Sequence, residues 1–82
     1  MYEIIFSEKA VKQLRKLEKD MQRRIISVLE RIRTRPKAHI TKLVADPSYK
    51  LRVGDYRIIL DIDRNKLIIF VMLIGHRREI YD

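Results

Sequence analysis

The chain has 82 residues, 46% of them hydrophobic, which is enough for one domain with a single core. It contains no cysteine, so disulfides and thiolate metal sites are excluded, and no apolar run approaches the roughly 20 residues that cross a bilayer. The start lacks the basic-then-apolar order of a signal peptide, and we expect a soluble, cytoplasmic protein. A formal net charge of +8 makes a polyanion, above all nucleic acid, the leading class of partner. An acidic protein partner and a generally basic surface are the alternatives.

The N-terminal half predicts a strand followed by a helical hairpin. Residues 2–6 have the pattern of a short strand, and Ser7 is a good N-cap for a first helix. Asp20 can cap a second helix, and Pro36 ends it because proline has no N–H to donate. Apolar residues recur at helical spacing in both: Ala10, Val11, Leu14 and Leu17, then Met21, Ile25, Val28, Leu29 and Ile32.

A stripe of lysines follows another face of the first predicted helix. Its members are Lys9, Lys12, Lys16 and Lys19. Such a stripe is usually a solvated face, but it also suits electrostatic guidance toward RNA. We therefore treat these four lysines as candidate RNA-binding residues.

The C-terminal half predicts three antiparallel strands. Residues 37–47 have no periodicity and are predicted to form a connecting loop with one short turn of structure at most. Gly54-Asp55 and residues 63–66 separate three alternating or apolar runs and predict two turns. The last run, LIIFVMLI, is apolar on both faces, which predicts a central strand with the N-terminal strand at its other edge. The predicted fold class is α+β, with one domain over residues 1–82 and the helices on one face of a small twisted sheet.

A two-residue turn at Gly54-Asp55 places Arg52 directly opposite Arg57, with Lys50 on the same face. The other face is apolar and should receive the helices: Tyr49, Leu51, Val53, Tyr56, Ile58, Leu60 and Ile62. Like charges directly opposite each other on a sheet are destabilising by up to about 1 kcal/mol. Either the two guanidinium groups spread into water, or the cluster is arranged for an anion such as a phosphodiester.

The same face carries groups suited to RNA chemistry. Ile59, Phe70 and Met72 are predicted to form an apolar floor for a nucleobase. Counting by twos from Met72 places His76 beside Arg52 and Arg57, unless Gly75 introduces a bulge.

Metal-free RNA cleavage, in which the substrate's own 2′-OH attacks the adjacent phosphorus, suits these residue types. Cations stabilise the charge that develops on the phosphoryl oxygens. His76 is a candidate acid or base because imidazole titrates near neutral pH, and Tyr81 can join it if neighbouring cations lower its pKa. The alternatives are an exposed or phosphate-binding His76 without catalytic duty and a Tyr81 that only fastens the tail to the sheet.

Other catalytic arrangements find little support. Zinc-ligand spacing, a glycine-rich phosphate loop and a credible Ser-His-Asp set are missing from the sequence. Asp61 and Asp63 are the best carboxylate pair for a metal, but they better suit turn and cross-strand contacts with Lys66. His39 has no predicted partner and is treated as structural. We expect neither a metal nor a cofactor.

The segments LRVGDYR and IGHRREIY, placed after a strand and a helical hairpin, resemble the RelE/ParE family of prokaryotic toxins, on the RelE side. The resemblance covers nearly the whole chain. It implies a ribosome-dependent endoribonuclease that cleaves mRNA in the ribosomal A site and so inhibits translation. It also implies two partners: a RelB-like antitoxin, in a heterodimer or heterotetramer, and the ribosome with its mRNA and rRNA.

The resemblance also implies site residues. They are Lys50, Arg57, Arg77 or Arg78, and Tyr81, with Arg52 at a matching basic position. The sequence departs from some members of the family at Ser48, where they have lysine, and at His76, where some members have lysine and relatives use histidine as an acid or base. The tail is shorter than in some members, so the choice between the two tail arginines stays open.

Two other functions remain open from the sequence. One is a ParE-like toxin that binds and inhibits DNA gyrase without cutting nucleic acid. The other is a basic binding module, including an inactive toxin that completes an antitoxin's DNA-binding complex.

Overall fold

The computed structural model describes residues 1–34, 41–42 and 48–76. The elements in chain order are β1 (Glu3–Phe6), α1 (Glu8–Arg15), α2 (Lys19–Ile32), β2 (Thr41–Lys42), β3 (Tyr49–Val53), β4 (Tyr56–Asp63) and β5 (Ile68–His76). The predicted α+β class, with a helical hairpin before a three-strand antiparallel meander, is confirmed. The two-residue β2 lies where only a connecting loop was predicted. No described helix is long and apolar enough to cross a membrane.

The sheet has the order β1-β5-β4-β3-β2. β5 is central, as its apolar sequence predicts, between a parallel β1 and an antiparallel β4. Val53 pairs with Tyr56 across a two-residue turn, and Gly54 has a φ of 59° there. Glycine takes this left-handed geometry without a steric cost, which explains why the hairpin closes at this position.

The helical hairpin differs from the prediction at its connection. Ser7 caps α1 as predicted, and its side chain accepts a hydrogen bond from the N–H of Ala10. The N-cap of α2 is Glu18, so the prediction that Asp20 caps this helix is wrong. Asp20 lies instead in the first turn of α2, where it forms an ion pair with Arg23. Its negative charge there interacts favourably with the positive end of the helix dipole. Lys19 therefore begins α2 and is not part of α1.

The helices pack on one face of the sheet, which we call the inner face. The buried core consists of Ala10, Ile25, Leu29, Ile32, Leu51, Val53, Ile58, Leu60, Ile69, Val71 and Ile74. Both predicted helical stripes and six of the seven predicted inner-face strand residues contribute to this core or pack against it, all but Tyr56. The opposite face of the sheet, which we call the outer face, carries the charged residues of β3 and β4.

β5 contains one residue more than β4 in the stretch where they pair. Ile59 pairs with Leu73 and Leu60 pairs with Val71, so Met72 is a β-bulge. Before the bulge, Val71 points to the inner face, and after it Ile74 does so, opposite Ile58. The bulge thus shifts the alternation of β5 by one residue along its last part.

Candidate functional site

The positively charged cluster predicted on β3 and β4 is present on the outer face. Arg52 lies directly opposite Arg57, and Lys50 lies opposite Ile59. Arg52 is exposed, and its Nε lies 3.4 Å from the carbonyl oxygen of Gly54. We call Lys50, Arg52 and Arg57 the outer-face cluster.

Arg57 is the one buried charged side chain in the part of the chain that the structure describes, at 7% exposure. Guanidinium groups keep their charge in proteins, and burying a charge is unfavourable unless other groups compensate for it. A second guanidinium directly across the strand pair adds repulsion. Arg57 is therefore a charged side chain that is largely withdrawn from water and faces a second guanidinium group.

An apolar surface adjoins the cluster, and it includes one residue that the sequence did not predict. Ile59 is on the outer face and only 8% exposed, and Phe70 lies there opposite Asp61. Met72 is the unpaired bulge residue and is 43% exposed, and Leu73 lies opposite Ile59. Leu73 therefore joins Ile59 and Phe70 in the floor next to the cluster.

The prediction that His76 shares the face of Arg52 and Arg57 is wrong. Because of the bulge, His76 pairs with Tyr56 and lies on the inner side of the sheet. The two rings meet edge to face with their centroids 5.5 Å apart. The sequence-based count anticipated a bulge only at Gly75, whereas the extra residue comes earlier in the strand.

His76 lies at the rim of the sheet and is not far from the cluster. Its neighbour Gly75 pairs with Arg57 in the strand register. On the inner side it borders a cleft that the α1–α2 connection, α2 and the β3–β4 turn also line: Lys16, Leu17, Glu18, Met21, Arg24, Gly54 and Asp55. The imidazole and the outer-face cluster thus occupy the same end of the sheet on opposite faces.

The other predicted site residues fall into two groups. Three lysines of the stripe, Lys9, Lys12 and Lys16, are exposed on or just after α1, and Lys19 is exposed at the start of α2. Arg77, Arg78 and Tyr81 lie outside the described residues, as does His39. Their assignments stay predictions.

One member of the carboxylate pair considered for a metal, Asp63, has a structural task in the second turn. One oxygen of Asp63 accepts hydrogen bonds of 3.0 Å from the backbone N–H groups of Asn65 and Lys66. This holds the turn between β4 and β5. Within the described ranges, no group of three or more metal-ligating side chains comes together.

Two residues near the site were not singled out as functional from the sequence. Tyr56 was assigned to the core, yet it forms the ring contact with His76. Gln13 accepts a hydrogen bond from the backbone N–H of Ile74 in β5. A signal for Gln13 was available, because it is the polar member of an otherwise apolar stripe with Ala10, Leu14 and Leu17.

The outer face can hold a chain of phosphates beside unstacked bases. Arginine offers two parallel N–H donors that match the geometry of a phosphate, and Lys50 adds a compact charge. The apolar floor can accept a base or ribose. The arrangement therefore suits single-stranded nucleic acid better than a small free anion.

The family model of the ParE toxin of the type II toxin-antitoxin system, parDE, matches residues 4–81, and the chain belongs to this family. A relative is the mRNA interferase toxin RelE of Escherichia coli (strain K12), 29% identical over 85 residues that cover 98% of this chain and 90% of the relative.

Solved structures show the same fold. The chain is similar to a chain of the intact E. coli RelBE toxin-antitoxin complex, with a TM-score of 0.82, 27% identity and coverage of 93% of this chain and 96% of that one. It also matches a chain of the RelBE2 toxin-antitoxin complex of Mycobacterium tuberculosis, with a TM-score of 0.85, 20% identity and coverage of 93% and 98%. The chain is thus a toxin of a type II toxin-antitoxin system.

Proposed function

We propose that this toxin is a metal-independent endoribonuclease that cleaves mRNA in the ribosomal A site and so inhibits translation. The observation that carries the proposal is the buried Arg57 opposite Arg52, an arrangement that a ligand with negative charge relieves. The name of the E. coli relative, an mRNA interferase toxin, supports the same class of reaction.

In the proposed reaction the 2′-oxygen of the substrate loses its proton and attacks the adjacent phosphorus. The bond from phosphorus to the 5′-oxygen breaks, which gives a 2′,3′-cyclic phosphate and a 5′-hydroxyl that takes up a proton. No external nucleophile and no metal enter this balance. Arg52 and Arg57, with Arg77 or Arg78, are assigned to the charge that develops on the non-bridging oxygens.

Proton transfer is assigned to Lys50, His76 and Tyr81. Strand register gives Lys50 a place on the outer face. His76 lies on the inner side of the sheet, at its rim. It can therefore take part in catalysis only if the bound RNA passes around the edge of the sheet beside Gly75. This makes Lys50 the first candidate for the general base and His76 a candidate for the leaving-group side.

The proposed partners are an antitoxin and the ribosome. A RelB-like antitoxin would block the toxin in a heterodimer or heterotetramer, as the RelBE complexes among the similar structures suggest. The ribosome with its mRNA and rRNA is the second partner, and the exposed lysines on and beside α1 would guide the approach to rRNA in the cytoplasm.

A second candidate function is inhibition of DNA gyrase. The matching family model is that of ParE toxins, which favours it. A pure binder has less reason to bury an arginine opposite another arginine, which favours RNA cleavage. A basic binding module without any activity is the third alternative, and it predicts growth when the chain is expressed without an antitoxin.

The test is primer extension on a message that is being translated, combined with a supercoiling assay on purified gyrase. We expect new 5′ ends in the translated message, none in the untranslated message, and no effect on supercoiling. Arg57→Ala combined with Tyr81→Phe should abolish the cleavage pattern. Arg64→Ala, which removes an exposed arginine from the β4–β5 turn, is the matched control and should keep it.

Two results contradict the proposal. An unchanged cleavage pattern in the double variant would show that the outer-face cluster is not the site. Inhibited supercoiling without cleavage would assign the protein to the gyrase-inhibiting class.

A further inference from the structure

β5 loses its neighbour on one side just where it carries the bulge. β1 pairs with β5 as far as Phe6 opposite Val71, and the N–H of Ser7 donates to the carbonyl oxygen of Val71 at 2.9 Å. α1 then begins, and no strand of the described chain lies beside residues 72–76 on that side. Backbone groups along such an edge need other partners.

Two side chains that belong to α1 or cap it supply these partners. The hydroxyl of Ser7 donates to the carbonyl oxygen of Met72 at 2.8 Å, while its oxygen accepts from the N–H of Ala10 at 3.0 Å. Oε1 of Gln13 accepts from the N–H of Ile74 at 2.7 Å. The bonds to Met72 and Ile74 lie on either side of Leu73, so α1 holds the chain immediately before and after the shift in alternation.

The bulge decides which side chains face the candidate site. With it, Leu73 and Gly75 lie opposite Ile59 and Arg57 on the outer face, and Ile74 enters the core at 2% exposure. Without the extra residue, alternation continued from Val71 would bury Leu73 and turn Ile74 outward. The shape of the surface beside Arg57 thus depends on a feature that α1 fixes from the other side of the sheet.

We infer that Ser7 and Gln13 are positioning residues, which hold the Met72 bulge and thereby set the floor beside Arg57 and the place of His76 against Tyr56. The part that concerns cleavage rests on the proposed function. The part that concerns the bulge stands on the hydrogen bonds and the strand register alone.

The first test compares three glutamine variants by NMR-detected amide hydrogen exchange. Gln13→Ala removes the acceptor for the N–H of Ile74. The exchange rate at this amide should therefore increase by a factor that is about 10 to 100 times larger than the factor at the other core amides. Gln13→Glu keeps an acceptor oxygen and should restore protection. Gln22→Ala is the matched control, because Gln22 donates to the carbonyl oxygen of Leu17 and not to a backbone group of β5.

A second test separates the two tasks of Ser7. Ser7→Asp keeps a helix-capping acceptor but has no hydroxyl to donate to Met72, whereas Ser7→Thr keeps both. We expect Ser7→Asp to weaken the nuclear Overhauser contact between the rings of Tyr56 and His76 while α1 remains capped. Ser7→Thr should retain the contact.

The cleavage assay on translating ribosomes then tests the role in the site. Gln13→Ala should cleave about 10- to 100-fold more slowly, with recovery in Gln13→Glu and little change in Gln22→Ala.

The outcomes separate the parts of the inference. If Gln13→Ala changes amide exchange equally throughout the core, and the contact between Tyr56 and His76 stays intact in Ser7→Asp, the inference about the bulge is wrong. Selective loss of protection at Ile74 with full cleavage would overturn the positioning role, while the proposed function would stand. A wild-type chain that does not cleave would contradict the proposed function and the positioning role together, and the exchange result would still decide whether α1 holds the bulge.

Discussion

Arg57 and Ile58 are consecutive residues of β4 that point to opposite faces of the sheet, and both are almost completely buried, at 7% and 0% exposure. Ile58 packs in the core beneath the helices, where burial of an apolar side chain stabilises the fold. Arg57 lies opposite Arg52, and burying its charge carries a desolvation cost that burying Ile58 does not. The comparison indicates that the inner face determines stability, while the outer face carries the charged cluster that we propose as the RNA site.

The largest effect on stability is expected on the inner face. Ile58→Ala should lower the free energy of unfolding by about 2 to 5 kcal/mol, because it removes buried methyl groups and leaves a cavity. In a domain of this size that is a large part of the total stability. Chemical denaturation followed by circular dichroism measures the change.

Ile26→Ala is the control for this variant, since Ile26 is 39% exposed on α2. It should cost at most about 1 kcal/mol. An Ile58→Ala variant as stable as Ile26→Ala would contradict the assignment of the inner face as the source of stability.

On the outer face, a substitution should leave the free energy of unfolding unchanged or raise it, and should impair cleavage. Arg52→Gln removes one of two facing charges, and the free energy of unfolding should stay unchanged or rise by up to about 1 kcal/mol. Cleavage should fall by about 10-fold or more, because a charged donor to phosphate is lost. Denaturation and primer extension on the same preparation test both parts.

Arg64→Gln gives the matched loss of one positive charge from the β4–β5 turn. Its stability should change by less than about 0.5 kcal/mol and its cleavage should be normal. An equal gain in stability for the two variants would attribute the effect to net charge and not to the facing pair.

The smallest effect is expected from the exposed lysines. Lys9→Gln combined with Lys12→Gln should change the free energy of unfolding by less than about 0.5 kcal/mol. The double variant should associate with ribosomes more slowly at low ionic strength, and the difference should disappear as salt screens the charges. Stopped-flow association at two salt concentrations measures this, and a salt-independent defect would point to a direct contact instead.

Most of the fold could be predicted from sequence because local patterns were strong. The apolar spacing of Ile25, Leu29 and Ile32 identified the buried face of α2, and Gly54 identified the hairpin that brings Arg52 opposite Arg57. These features depend on neighbours within a few residues or on one tight turn.

The placement of His76 could not be predicted in the same way. It depends on the extra residue Met72 in β5, and the partners of that bulge come from Ser7 and Gln13, far away along the chain. A run that is apolar on both faces gives no signal for a shift in alternation, because either register buries apolar side chains. The cap of α2 was missed for a different reason, because an aspartate is also favourable within the first turn of a helix, where Asp20 lies.

The central claim, that Arg57 holds the reacting phosphate through its planar guanidinium group, is tested most directly by Arg57→Lys. This variant keeps the charge but loses the paired N–H donors. We predict that single-turnover cleavage of mRNA in purified ribosome complexes falls by about 100-fold or more, with the protein still folded. Cleavage at the wild-type rate would contradict the account, since a point charge would then be all that the outer face supplies.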